Sequence, residues 1–178
     1  MNAAPQSLIR ADALNELVET ARIAPPGDLV EVGVYRGGSA VALARVAREQ
    51  KRRLYLFDTF TGIPCANPSV DEHKVGDFGD CSMDDVRAAI PEATIIVGVF
   101  PGTLKHVPEL GPIALAHIDC DQYSSVRACC DWLDSKMAPG GVMVFDDYDC
   151  LPGAKKAVEE MFPGRARISA QGKARVTF

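Results

Sequence analysis

No unbroken apolar run in this sequence approaches the ~20 residues needed to span a bilayer, which argues against a membrane protein. The start, MNAAPQSLIRADALNEL, lacks a basic flank followed by an apolar block, so no signal peptide is expected and the chain reads as cytoplasmic. None of the six cysteines (Cys65, Cys81, Cys120, Cys129, Cys130, Cys150) lies in a C-x-x-C motif or near a His at zinc-finger spacing. That argues against structural zinc and leaves reduced, mostly buried thiols. A basic excess is missing too, with 19 Lys and Arg against 24 Asp and Glu. The one basic run, Lys51-Arg52-Arg53, reads as a solvated helix end, and without a basic footprint no nucleic-acid partner is expected. Internal repeats, linkers and low-complexity segments are also missing.

What is present is one domain of 178 residues, 1–178, long enough to bury roughly 70% of its unfolded surface without staples. The charge is uneven. Residues 1–53 carry net +2, residues 54–150 net −11 and residues 151–178 net +4. Carboxylates concentrated in the middle suit a divalent cation.

Leu14, Leu17, Val18 and Ala21 have the spacing of an amphipathic helix, which Pro25-Pro26-Gly27 stops. A strand is expected over 29–34, then a turn at Arg36–Ser39, with Ser39 able to cap the next helix. Leu54 to Phe57 is a second strand, ending at Asp58. From Thr59 to Cys81 only loop residues appear, and so long a stretch without periodicity is usually functional. Ser82 to Asp85 resembles a capping box. Further strands are expected at 94–97, 113–118 and 142–145, with Pro139-Gly140-Gly141 as a turn before the last. Helices are expected after Asp121 and over 153–162, and a closing hairpin around Gln171-Gly172. This alternation predicts an α/β, Rossmann-like, doubly wound and mostly parallel sheet of seven strands with a C-terminal antiparallel hairpin.

In such a sheet the residues just after each strand converge on one edge. After the first strand, Gly33 and Gly37 can let backbone approach a ligand at a helix N-terminus, although a plain strand-to-helix turn would look the same. Asp58 ends the second strand, where a carboxylate can accept from both ribose hydroxyls of a nucleoside; the alternative is a cap or loop Asp. Asp119 and Asp121 follow the fourth strand, and Asp146 and Asp147 the fifth. Four carboxylates on neighbouring strand ends repel unless a cation or protons compensate, so a Mg²⁺-type oxygen site is the economical explanation. Capping accounts for one carboxylate per end, not for pairs. For His117 a satisfied structural role is favoured over that of a ligand.

At these residues the sequence resembles class I S-adenosylmethionine-dependent methyltransferases, and more closely the macrocin (TylF/MycF/NovP) type of sugar O-methyltransferase. The resemblance is carried by 31–39 (EVGVYRGGS), 57–64 (FDTFTGIP), 73–78 (HKVGDF), 97–104 (VGVFPGTL), 117–123 (HIDCDQY) and 139–148 (PGGVMVFDDY). It implies that Glu31, Gly33, Gly37 and Ser39 line S-adenosylmethionine and that Asp58 holds its ribose. It further implies that Asp119, Asp146 and Asp147 bind Mg²⁺ and that Asp121 is the general base. The expected partner is a small-molecule acceptor bearing a hydroxyl, plausibly on a sugar moiety, with a homodimer left open. Two departures stand out. Family members carry added helices before the first strand that help cover the substrate, whereas about 28 residues precede it here; and Gln122 stands where catechol-type relatives have a lysine. Two other readings compete: a different metal-dependent enzyme on the same fold, hydrolase or oxygenase, and a non-catalytic module that binds S-adenosylmethionine without turning it over.

Overall fold

The computed structural model describes residues 5, 7–107 and 110–178. Its elements run α1 (Ala11–Ile23), β1 (Asp28–Val32), α2 (Gly38–Gln50), β2 (Leu54–Asp58), α3 (Met83–Ala89), β3 (Thr94–Val97), β4 (Ile113–Ile118), α4 (Tyr123–Leu133), β5 (Met137–Phe145), α5 (Pro152–Met161), β6 (Arg167–Ile168) and β7 (Ala174–Thr177), with single 3₁₀ turns at Gly102–His106 and Asp134–Lys136. The seven strands form one sheet in the order β3-β2-β1-β4-β5-β7-β6. β1 to β5 are parallel; β7 is antiparallel to β5, and β6 to β7. The order reverses between β1 and β4, which opens a crevice at their carboxyl ends.

The central strands are apolar on both faces because both faces are covered. Val30, Val32, Phe57 and Phe145 pack with α4 and α5. Leu29, Leu56 and Leu115 pack with α1, α2 and α3 on the other side. Side chains as fully buried as these stabilise by roughly 1.5–3 kcal/mol each relative to exposure, so the sheet edge carrying the chemistry rests on a rigid base. Among the described residues no helix is long and apolar enough to cross a membrane.

Four local expectations change. The first strand stops at Val32, not residue 34, because Gly33 takes φ +88°. Ser39 is not the cap of α2: Gly37, at φ +85°, occupies that position, and Ser39 lies buried inside the first turn. Pro139-Gly140-Gly141 lies within β5 as a bulge, since Met137 pairs with Ile113 and Val142 with Leu115, leaving 138–141 opposite Ala114. The basic run is not simply solvated. Arg53 makes two 2.9 Å bonds to Asp28, and Arg52 donates to the Ala24 carbonyl. Ser82 does cap α3, accepting from the Asp85 amide at 3.3 Å.

The 59–81 segment has neither helix nor strand, yet it is tied down. Ile63 and Gly76 exchange backbone bonds with Asp77 and Ile63, and Asp71 accepts from the Tyr123 amide at 2.8 Å. Phe78 sits edge-on between Tyr35 and His73, and Tyr35 donates to Asp80. The loop therefore forms one wall of the crevice. All six cysteines are free thiols, but only Cys129 and Cys130 are buried; Cys65 and Cys150 are exposed.

Candidate active site

A cavity of about 350 Å³ lies over the carboxyl ends of β1 to β5, within the range of small-molecule and cofactor sites. Gly33, Ser39, Asp58, Asp119, Asp121, Asp146 and Asp147 all line it. Gly33 is required by a close approach: a Cβ there would lie 1.8 Å from the Asp119 carbonyl oxygen. Its lack of a side chain brings the β1 and β4 ends together. Gly37 does not line the cavity; its open side faces Val86 of α3, and Gly38 takes the place at the wall.

Asp58 organises the same edge. Its Oδ2 accepts from the Val34 and Tyr35 amides at 2.6 and 2.8 Å, and its Oδ1 from the Phe60 amide at 2.7 Å. The carboxylate thus ties the turn after β1 to the end of β2. Two acceptor sites per carboxylate oxygen make four, and these three amides leave one, on Oδ1, for a further donor.

Asp119, Asp146 and Asp147 each place an oxygen within 4.8 Å of the others. The Oδ2 of Asp147 is buried without a hydrogen-bond partner among the described residues. Three hard oxygen donors around one point, one of them orphaned, fit a small divalent cation such as Mg²⁺. Burial, reinforced by Asp147 and Asp146, pushes Asp119 well above the ordinary carboxylate range. Burial and Asp146 raise Asp147 to about 6. Asp146 is instead held low despite its burial, because His117 and Lys173 flank it.

Asp121 is not on a continuing strand. β4 ends at Ile118, and Asp121 adopts a left-handed backbone at φ +61° before Gln122 opens α4. It does not cap that helix. Its carboxylate faces His73 Nε2 at 3.9 Å, and burial together with Asp147 and Asp146 raises it to about 8.

Glu31 is corrected most. It is 0% exposed and absent from the cavity wall; its Oε1 bonds His117 Nδ1 at 2.8 Å inside the sheet. His117, paired with Glu31 in the β1–β4 register, is held at Nδ1 as the structural reading expects, but its Nε2 has no hydrogen-bond partner among the described residues and faces Asp146 Oδ1 at 3.8 Å. Burial opposes its protonation, but Asp146 and Glu31 overcome that and raise it to about 10.

Several wall residues had no signal of their own. Lys173 comes from the closing hairpin, far away in sequence from every motif. Gly98, Val99 and Phe100 follow β3, and His73 and Phe78 lie in the long loop; all five fall inside motif blocks, but nothing in their spacing assigned them to the wall.

A family model described as Macrocin-O-methyltransferase (TylF) matches residues 7–171. The chain belongs to the macrocin O-methyltransferase family. That membership makes it an enzyme of the O-methyltransferase class. Over 180 residues it is 32% identical to the 8-demethyl-8-(2,3-dimethoxy-alpha-L-rhamnosyl)-tetracenomycin-C 4'-O-methyltransferase of Streptomyces olivaceus, covering 91% of this chain and 68% of that protein. It is 30% identical to the demethyldecarbamoylnovobiocin O-methyltransferase of Streptomyces niveus, covering 76% of this chain and 58% of that one. This macrocin-family chain therefore spans 58–68% of those relatives' length. The fold is shared with the O-methyltransferase NovP, at a TM-score of 0.75 and 24% identity, over 93% of this chain and 78% of that structure.

Proposed function

We propose that this macrocin-family enzyme moves the methyl group of S-adenosylmethionine to a hydroxyl of a small natural product, on a sugar moiety, with Mg²⁺ held by Asp119, Asp146 and Asp147. One observation carries the reading: a single cavity joins the turn after β1, the ribose-competent Asp58 and a triad of carboxylates within 4.8 Å. The sugar acceptor rests on the tetracenomycin relative, whose name specifies a rhamnosyl group.

S-adenosylmethionine supplies a sulfonium methyl, and a divalent cation in the triad would lower the pKa of a neighbouring hydroxyl and fix its direction. The chain does the rest by positioning. Asp58 and the turn at Gly33 to Ser39 would hold the nucleoside end. Asp121 stands beside the triad, not in it. Burial, Asp147 and Asp146 raise it to about 8, and a cation held by the triad would offset those two charges and lower it, freeing the carboxylate to take the hydroxyl proton as oxygen approaches the methyl in line. The 59–81 loop walls the site and limits water. Three carboxylates suit Mg²⁺ better than an iron oxygenase centre, which takes two histidines. A module that only binds the cofactor has no use for a base beside a metal triad.

The deciding experiment incubates the enzyme with S-adenosylmethionine, Mg²⁺ and a panel of rhamnosylated and other glycosylated natural products. Methylated product with stoichiometric S-adenosylhomocysteine supports the reading. Tight S-adenosylmethionine binding with no turnover on any hydroxylated acceptor would favour the module.

A further inference from the structure

Lys173 sits in the turn between β6 and β7 and reaches into the cavity wall. Its Nζ donates to Asp146 Oδ2 at 2.7 Å and to the Asp146 carbonyl at 2.8 Å. The two side chains are 18% and 13% exposed, so water screens this pair little. The other oxygen of Asp146, Oδ1, faces His117 Nε2 at 3.8 Å. One member of the carboxylate triad is thus flanked by an ammonium and an imidazole that belong to the chain.

The turn that delivers Lys173 is rigid. Ser169 Oγ accepts from the Gln171 and Lys173 amides, and Ser169 in turn donates to the Lys173 carbonyl at 2.9 Å. Gly172, at φ +80°, lies so close to Asp149 that a Cβ would come within 2.6 Å of its Oδ2. The hairpin therefore cannot shift far without leaving the segment that follows β5.

We propose that Lys173 is a tethered cation that competes with the divalent ion for Asp146, coupling metal loading to the β6–β7 turn. The inference rests on the reading of Asp119, Asp146 and Asp147 as the metal triad. Asp146 has a finite negative charge to share, and an ammonium at 2.7 Å repels a second cation brought to the same carboxylate. Lys173 spares the triad its own repulsion while no ion is bound, and it weakens the ion when one arrives. A loaded site displaces the ammonium and loosens the turn.

The test titrates the intact enzyme with Mn²⁺ alone, followed by electron paramagnetic resonance, for wild type, Lys173→Gln and Lys173→Arg. Lys173→Gln is expected to bind Mn²⁺ at least about fivefold more tightly, the lower end of ordinary coupling between sites, and Lys173→Arg to stay near wild type. In wild type, Mn²⁺ should speed hydrogen exchange over residues 169–174, a readout that needs no variant to fold. Equal or weaker Mn²⁺ affinity in a folded Lys173→Gln, or slower exchange over that turn, overturns the proposal and leaves the triad standing. If wild type and variants alike bind no Mn²⁺, the triad reading falls and takes the proposal with it.

Discussion

Glu31 and His117 are bonded to each other at 2.8 Å in the interior of the sheet, one residue before the ends of β1 and β4. The pair supports the site without touching its contents. Removing one partner of a buried ion pair typically costs ~3–5 kcal/mol, because the other charge stays behind uncompensated. Glu31→Gln should therefore lower the urea midpoint strongly. Cofactor affinity, measured by calorimetry below the unfolding range, should stay within about twofold, since the side chain is absent from the cavity wall. A variant with normal stability and weakened S-adenosylmethionine binding would return Glu31 to the cofactor.

Asp58 bears on cofactor and turn together. Asp58→Asn keeps one acceptor oxygen and the shape but gives up the charge that three backbone amides and the proposed ribose share. A lost charged hydrogen bond is worth ~1.5–3 kcal/mol, so S-adenosylmethionine should bind roughly tenfold to a hundredfold more weakly. Unchanged affinity in calorimetry would mean that Asp58 serves the turn alone.

The triad makes a metal prediction. Chelation with EDTA should abolish turnover and Mg²⁺ restore it, while S-adenosylmethionine affinity without metal stays intact. Asp119→Asn and Asp146→Asn should each raise the Mg²⁺ concentration needed for half-maximal rate. Full activity in chelator would leave the carboxylates as caps and loop anchors.

Stability without metal should fall as pH rises, and three groups set the window. His117 has a folded pKa raised to about 10, above its unfolded ~6.5, so its contribution is complete below ~6.5 and is lost toward about 10. Asp147 and Asp121 are raised to about 6 and about 8 from an unfolded ~3.9. Folding therefore takes up protons at both, and that stability also drains away as pH climbs through those values. In EDTA the Tm should drop between roughly pH 4, where the unfolded carboxylates ionise, and roughly pH 10, where folded His117 loses its proton. A cation that binds the ionised carboxylates opposes the drop, so the Tm gain on adding saturating Mg²⁺ should be larger at the alkaline end. A gain that shrinks with pH would contradict the coupling.

Much of this arrangement was legible in the chain itself. Continuous apolar runs separated by amphipathic helices specify a covered parallel sheet, and the chemistry-bearing residues follow its strands. What could not be read were contacts made across long separations. Glu31 looks like part of the glycine turn, yet the strand pleat turns its side chain inward to a histidine 86 positions away. Gly37 looks like a partner of Gly33, but the left-handed cap it forms faces α3. Lys173 carries no local pattern at all; the antiparallel β5–β7 pairing alone brings it to Asp146.

Asp121 remains the assignment with most at stake, and the backbone decides how to test it. Asp121 holds φ +61°, a region that Asn tolerates and most other side chains resist, so Asp121→Asn preserves the turn while removing the basicity. Loss of general-base help typically lowers turnover ~10²–10⁴-fold. Cofactor affinity should be spared, and the residual rate should climb with pH as solvent hydroxide takes the proton. Near-normal turnover at about pH 7 would move the base elsewhere. His117 is a poor successor, being buried, paired with Glu31 and held protonated. His73 is the better one: its Nε2 lies 3.9 Å from Asp121, its ring lines the same cavity, and Phe78 holds it edge-on in place. The double variant Asp121→Asn, His73→Gln would then lose the activity that Asp121→Asn retained.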